Sequence, residues 1–493
     1  MSIQEEPFSE EADWNQIYVG GEWYKPDGTD SIDVKNPSTQ EVIAQVPACT
    51  EEDVKDAFDA AEEAQKDWGA RPHEERQELL SEAQSIMMSQ MGDIQGLLAT
   101  EAGSAMAKQM GEFNYAREIM AWMSDFDDIE SEHESGFDGK TNRVVREPVG
   151  VVSTVCPWNF PLYMAMRAVA PAVVMGNSVV LKPSTETPIT GGLAVARVFE
   201  EAGFPDGVVN VVTGRGSDIG DAVVSDPRAQ SVNFTGSTGV GKRVGRLAGD
   251  NVAEVALELG GNSPFVVTED VDLEQAVTAG LFGTFMHQGQ VCISINRHLV
   301  HEDIYDDYVE QFTERTEELG VGSPDNPDNI VGPLINESQR DQILRFIEES
   351  VDAGATLETG GEADGLFLEP TVLSNATNEM SASCNEHFGP VAPIIPFSDD
   401  DEAVEIANDT EYGLSSAVFC NDMDRARDIA DRIEAGMVHI NDQPIHDEPH
   451  MPFGGVKQSG VGRFNGHWVI DEMTETKWIS EQDPDEPRDY LVF

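Results

Sequence analysis

The sequence predicts an α/β protein built from a doubly wound sheet, a second α/β unit and a small β arm. Three observations carry this. From Val149 onward, short apolar runs (VGVVSTVC, SVVLKP, GVVNVVTG, SVNFTG, AEVALELGG) alternate with amphipathic stretches, the signature of a parallel sheet covered by helices on both faces. Beyond residue 260, helical stretches at 302–319 and 338–353 alternate with the strand runs AVFC and MVHIN. The segment TETKWISEQ reads as a late strand that pairs with an arm at 128–148.

Taken in order, residues 17–48 hold short runs such as IYVGGEWY and EVIAQV separated by KPDGTD and NPST, which read as hairpin strands. Thr50 and Asp53 then form a capping-box start. Val54, Ala57, Phe58, Ala61, Ala64 and Trp68 follow at helical spacing. Helical patterning continues through 73–125, and the polar stretch 127–142 reads as a connector or exposed hairpin. The expected units are 1–127 with 149–259, a doubly wound nucleotide-type domain; 260–473; and an arm of 128–148 with 474–493. In such a sheet, ligands bind beyond the carboxyl ends of the strands, where Asn159, Lys182, Gly214, Gly236 and Glu258 fall.

Charge excludes several function classes. With 30 Lys plus Arg against 92 Asp plus Glu, the net charge is −62, which repels nucleic acid and anionic lipid alike. The acidic residues spread along the whole chain, as expected of an enzyme adapted to concentrated salt. The opening MSIQEEPFSEEADW lacks the basic and apolar regions of a signal peptide, so a cytoplasmic location is expected. The uncharged run Pro148–Met166 is as long as a membrane span, but its three prolines and its polar residues favour a strand, a turn and a helix start. Five cysteines, far apart and without CxxC spacing, imply neither a disulfide framework nor zinc. His439, His446 and His450 lack a cysteine partner and are expected in packing or a substrate loop, not at a metal.

Four segments carry chemistry. FTGSTGVGKR (234–243) is one residue short of a Walker A loop, because Arg243 stands where a magnesium-binding hydroxyl belongs. It reads as a phosphate-meeting strand, turn and helix, as a tight turn only, or as the loop of a P-loop nucleotide hydrolase. Cys292 in QGQVC is either an inert buried side chain or a nucleophile. Glu258 ends an apolar run before two glycines, where a carboxylate is costly to bury unless paired or working. Asn159, between Pro157 and Pro161, is either an oxyanion donor or a turn residue.

Together these segments resemble the aldehyde dehydrogenase superfamily from about residue 18 to about 480. The motifs are PWNFP, GNSVVLKPS, FTGSTGVG, LELGGNSP, QGQVC, EHFGP and PFGGVKQSGVGR. The resemblance implies oxidation of a small-molecule aldehyde to an acid with NAD or NADP. Cys292 would be the nucleophile, Asn159 the oxyanion donor and Glu258 the base. For the cofactor it implies Lys182 and Ser184 near the adenosine ribose, Trp158, Gly216, Gly220, Phe234, Gly236 and Ser237 along the adenine and pyrophosphate, and Glu386 and Phe388 at the nicotinamide ribose. Thr185 replaces a nucleotide-discriminating glutamate, which permits NADP, although Glu186 stands next to it.

The chain departs from the family pattern at Ala168 and Phe464, where a lysine and a glutamate are common, leaving Glu258 as the principal base. Arg167, MVHINDQPIHDEPHMPFGG and GRFNGHW look most like the benzaldehyde and vanillin dehydrogenase branch. Phe160, Tyr163, Met164, Arg167 and Phe453 are then the expected substrate pocket for an aromatic aldehyde. The alternatives are a semialdehyde, whose carboxylate Arg167 would bind, or an aliphatic aldehyde. The resemblance and the argument that strand edges are normally paired or covered imply a homodimer or homotetramer, with the arm extending a sheet across subunits.

Overall fold

The computed structural model describes Phe8 and residues 12–487; residues 1–7 and 9–11 of the expected first unit, and 488–493 of the expected arm, lie outside the described residues. Near the chain start, the expected capping box forms. Asp53 N–H donates to Thr50 Oγ1 at 3.4 Å and Thr50 N–H donates to Asp53 Oδ2 at 2.7 Å, opening the helix Glu51–Trp68.

Among the described residues an eight-stranded sheet runs in the order Glu22–Tyr24, Ile17–Val19, Val209–Val211, Ser178–Lys182, Val151–Val155, Ala229–Thr235, Glu254–Glu258, Gly460–Val461. The strands from Val209–Val211 to Glu254–Glu258 are parallel. Their continuous apolar character follows from burial on both faces: Val152, Val179 and Leu181 pack into one core, while Val151 and Val180 pack into another. Each buried Val contributes about 1.5–3 kcal/mol. Strand order reverses between Val151–Val155 and Ala229–Thr235, and the crevice beyond their carboxyl ends is the ligand position of a doubly wound sheet.

A second, seven-stranded sheet follows the order Thr356–Thr359, Thr371–Ser374, Val391–Phe397, Ile295–His301, Ser263–Val267, Ser415–Phe419, Met437–Ile440. In the arm, Thr474–Gln482 pairs antiparallel with Lys140–Pro148, which pairs in turn with Glu130–Glu134.

One boundary differs from the sequence expectation. Within 260–473, Gly460–Val461 joins the first sheet antiparallel to Glu254–Glu258, and Phe453, Phe464, Val469, Ile470 and Met473 pack into the first core. Glycine-broken pieces this short carry no strand period of their own, so the return of the chain was not readable locally. No helix among the described residues is long and apolar enough to cross a membrane. The run Pro148–Met166 divides instead into the strand Val151–Val155, a turn and the start of the helix Pro161–Val174.

Candidate active site

Two cavities meet at Cys292. A cleft is lined by Asn159, Glu258 and Cys292, together with Trp158, Gly236, Ser237, Glu386 and Phe388. A mostly apolar chamber is walled by Tyr115, Phe160, Tyr163, Ile293, Ile445 and Phe453. Asn159, Met164 and Cys292 line both.

The turn that presents Cys292 is under backbone strain. His287, Gln288 and Gly289 all have left-handed φ angles, of 50°, 58° and 69°, a conformation costing roughly 1–2 kcal/mol per non-glycine residue. Tertiary hydrogen bonds hold it: Gln288 Nε2 donates to Pro333 O at 2.8 Å, and Ile335 N–H donates to Gln290 Oε1 at 3.0 Å. The glycines of LELGGNSP have a steric reason. A Cβ on Gly261 would stand 2.1 Å from the Cys292 carbonyl oxygen, and one on Gly260 would stand 2.4 Å from Glu386 Oε2. Only glycine lets this loop lie between the cysteine turn and Glu386.

Asn159 is fixed from the same turn: its Nδ2 donates to Gln290 O at 2.9 Å. An amide nitrogen has two donors, so one N–H remains for a substrate oxygen. The helix that follows, Pro161–Val174, is buried along its whole length. Its first N–H groups are satisfied by Glu112, whose Oε1 accepts from Leu162 at 2.8 Å and Tyr163 at 3.2 Å and whose other oxygen pairs with Lys108.

Electrostatics at the junction disfavour charge. Burial pushes the Glu258 carboxyl up to about 8, reinforced by Asp447 and opposed by Arg167 and Arg463. Burial, with Glu386 and Glu258 nearby, pushes the Cys292 thiol up to about 12 against the pull of Arg167 and its own backbone N–H. The resting sulfur is therefore a thiol, and its attack on a carbonyl requires a proton acceptor. Glu258, 2% exposed with neither oxygen hydrogen-bonded, offers that acceptor in its ionised form, whose share grows as the pH rises toward 8.

Of the expected cofactor residues, the cleft brings together Trp158, Gly236, Ser237, Glu386 and Phe388. Trp158 and Phe388 meet edge to face at 5.4 Å. Ser237 caps the helix Thr238–Asp250 without a side-chain hydrogen bond, leaving that helix N-terminus ready for an anion. Phe234 lies under Gly236, where a Cβ would come within 2.7 Å of its ring. Lys182 ends its strand buried, its ammonium lowered to about 8 by burial, and donates to Pro183 O at 3.1 Å. Ser184 and Thr185 are half-buried just after it. Gly216 and Gly220 do not line the cleft; they occupy the first turns of Gly216–Ser225 on the surface. This donor set suits a dinucleotide: an anion-receptive helix end, glycines that admit its backbone, and an aromatic pair flanking the junction.

Of the expected substrate residues, Phe160, Tyr163, Met164 and Phe453 line the chamber, but Arg167 does not. One helical turn beyond Tyr163, its guanidinium is tucked between the rings of Phe453 and Phe464, at 4.5 and 4.6 Å. Sequence reasoning missed Tyr115, Ile293, Ile445 and Asp447 in the chamber and Gln339 and Gln342 in the cleft, whereas His446, expected in packing or a substrate loop, lines the chamber. Gln339 Nε2 donates to the carbonyls of His387 and Phe388, fixing the loop that carries Glu386. Tyr115, Gln339 and Gln342 come from distant segments without a local motif, so no signal in the sequence pointed to them.

The phosphate-loop alternative loses its lysine: Lys242 is exposed and hydrogen-bonded to Gln458, while Arg243 pairs with Asp221. Among the described residues no His, Cys, Asp or Glu group forms a metal site.

Comparison with known proteins agrees with this geometry. The profile described as "Aldehyde dehydrogenase family" matches residues 23–479. A benzaldehyde dehydrogenase of Bacillus subtilis is 43% identical, covering 95% of this chain and 97% of that protein. A vanillin dehydrogenase of Corynebacterium glutamicum is 42% identical, covering 94% and 96%. The crystal structure of betaine aldehyde dehydrogenase from Staphylococcus aureus in complex with NAD+ superposes with a TM-score of 0.93 at 32% identity, covering 97% of each chain.

Proposed function

The chain belongs to the aldehyde dehydrogenase family and is an NAD(P)-dependent aldehyde dehydrogenase, and from that premise we propose that it oxidises aromatic aldehydes through a thioester on Cys292. The observation that carries the substrate class is the chamber: its walls, mostly aromatic and aliphatic with His446 and Asp447 among them, end on the Cys292 thiol, and no lysine or arginine lines them. An aryl ring is desolvated there at little polar cost, whereas a semialdehyde carboxylate would lose its hydration without a cationic partner. The first relatives point the same way.

Cys292 Sγ attacks the aldehyde carbon as its proton passes to Glu258. The oxygen that becomes negative is received by the free Asn159 Nδ2 proton and the Cys292 backbone N–H. Bound NAD(P) supplies the hydride acceptor, the one piece of chemistry no side chain here provides; Trp158, Lys182, Gly236, Ser237, Glu386 and Phe388 would hold it. Once the thioester has formed and Glu258 has released the thiol proton to solvent, Glu258 takes a proton from water as the water oxygen bonds to the acyl carbon. The carbon–sulfur bond then breaks with its electron pair on Cys292, which takes the proton back from Glu258 as the acid leaves.

Uncharged Thr185 does not repel a 2′-phosphate, and the Glu186 carboxylate accepts from Asn336 Nδ2 at 3.1 Å, so NADP is admitted as well as NAD. We assign a homodimer or homotetramer assembled through the arm, where Trp478 is 68% exposed on an edge strand. A cytoplasmic setting suits the five free cysteines.

Initial rates for benzaldehyde, vanillin, an aliphatic aldehyde and succinic semialdehyde with each nucleotide test the reading. The aromatic substrates should lead in kcat/KM by about tenfold or more; semialdehyde leading overturns the substrate class. Light scattering in molar KCl that finds only a species of one chain's mass overturns the oligomer.

A further inference from the structure

Behind the chamber wall lies a cation that the steps above do not use. Arg167 is 1% exposed, and Nε and both terminal nitrogens have no hydrogen-bond partner among the described residues. Its guanidinium carbon stands 4.5 Å from the Phe453 ring centroid, 4.6 Å from that of Phe464 and 5.5 Å from that of Tyr163. Phe453 and Phe464 are locked as a pair by reciprocal backbone hydrogen bonds of 3.0 and 2.8 Å. Two aromatic faces recover part of the cost of burying a guanidinium. Leaving all its N–H donors unpaired is still expensive, so the charge must be balanced by nearby anions.

Glu258 is the matching orphan. It is buried with both oxygens unpartnered, and it sits against the same bridge: a Cβ on Gly454, the residue after Phe453, would stand 2.8 Å from Glu258 Oε1. We propose that Arg167 is a positioning residue: a guanidinium caged by Phe453 and Phe464 whose fixed charge offsets part of the burial cost of the Glu258 carboxylate and so enlarges its ionised, proton-accepting share for thioester hydrolysis, without touching substrate. This rests on the reading of Glu258 as the base in that step.

The charged and titratable groups around Glu258 come from several elements. Arg167 belongs to the helix Pro161–Val174, Arg463 and Asp447 to the segments after Met437–Ile440, and Cys292 to the strained turn. Arg463 Nη1 already donates to the carbonyls of Gly455 and Gly462, at 2.9 and 2.7 Å. Asp447 accepts from the Tyr163 hydroxyl at 2.6 Å and from Asn465 Nδ2 at 2.7 Å, and burial pushes its carboxyl up to about 6. Its Oδ2 is 4.0 Å from an Arg167 terminal nitrogen, so Asp447 and Glu258 share the influence of one cation. Arg167 is the member of the group whose charge has no hydrogen-bond commitment elsewhere, and a charge in a low-dielectric interior acts over several ångströms. Absence of Arg167 from both cavity linings separates this role from substrate recognition.

The test follows the pH dependence of the phase after the first hydride is released, in the full-length enzyme with benzaldehyde and NAD. In Arg167→Met the burst should keep an amplitude near one per site, forming more slowly because the Cys292 thiol also loses a favourable charge. The acid limb of the following phase should move alkaline by about one pH unit, and turnover at neutral pH should fall about tenfold. Arg167→Lys, which keeps the charge, should restore the limb. Asp447→Asn, which removes an opposing charge, should move it toward lower pH.

A limb unmoved in Arg167→Met, or a loss confined to KM, overturns the proposal. If circular dichroism shows that Arg167→Met does not fold, Asp447→Asn and Arg167→Lys decide: an unmoved limb in the first or a displaced one in the second overturns it. Glu258→Gln separates the layers. Unchanged steady-state turnover there overturns the base itself and this inference with it, whereas slow hydrolysis in Glu258→Gln with an unmoved limb in Arg167→Met overturns the inference alone.

Discussion

The cleft and the chamber share Cys292 but are built by different means. The cleft is a backbone construction: its walls are strand ends and turns at the crossover of the first sheet, and its spacing is set by Gly236, Gly260 and Gly261. The chamber is a side-chain construction, assembled from the helices Met106–Ser124 and Pro161–Val174, the cysteine turn and the loop carrying Ile445. A backbone wall tolerates almost no change, because no neighbouring atom can move aside. A side-chain wall is adjustable and is where substrate preference resides.

The largest effect should come where both regions meet. Cys292→Ala should lower hydride release by on the order of a thousandfold or more with every aldehyde, while NAD still binds, as tryptophan fluorescence quenching would show. Retained turnover would mean that the junction is not the reacting centre, and the distinction between the two walls would lose its meaning.

Gly261→Ala attacks the cleft alone. The added methyl would fall 2.1 Å from the Cys292 carbonyl oxygen, so the cysteine turn must shift. A displacement near 1 Å costs about a hundredfold in kcat, and the ratio of aromatic to aliphatic kcat/KM should not change. A changed ratio with normal kcat would show the glycine serving the chamber instead. Tyr115→Ala attacks the chamber alone. Tyr115 packs on Tyr163 at 5.4 Å, and its loss should raise KM for benzaldehyde about tenfold with KM for NAD unchanged.

This division also explains what was legible in the sequence. Asn159, Glu258 and Cys292 each stand in a short motif whose prolines or glycines are needed for local backbone geometry, so the segment announces itself. The parallel strands were readable because continuous apolar runs have one physical use, a sheet buried on both faces. Tyr115 and Ile445 were not readable: each is an ordinary apolar or aromatic residue that becomes a wall only when two remote elements pack together. Arg167 was misplaced for a related reason. Its spacing from Tyr163 puts it on the face that lines the chamber, but the pairing of Phe453 with Phe464, which draws its guanidinium aside, is a contact between residues far along the chain.

The smallest effect separates the two regions by charge. Acidic residues outnumber basic ones by 92 to 30, and carboxylates such as those of the arm strand Glu130–Glu134 are exposed, so the protein surrounds itself with negative potential. An anionic dinucleotide must cross that potential to reach the cleft, whereas a neutral aldehyde entering the chamber feels none of it. Raising KCl from about 0.1 M to about 1 M shortens the screening length from about 10 Å to about 3 Å. The KM for NAD should then fall by about two- to threefold, the KM for NADP by more because its 2′-phosphate adds charge, and the KM for benzaldehyde not at all. Melting temperature should rise by on the order of a few degrees over the same range as self-repulsion is screened. A flat melting temperature would show that surface repulsion does not limit stability. Equal salt dependence for nucleotide and aldehyde would show that the acidic shell does not distinguish the two entrances.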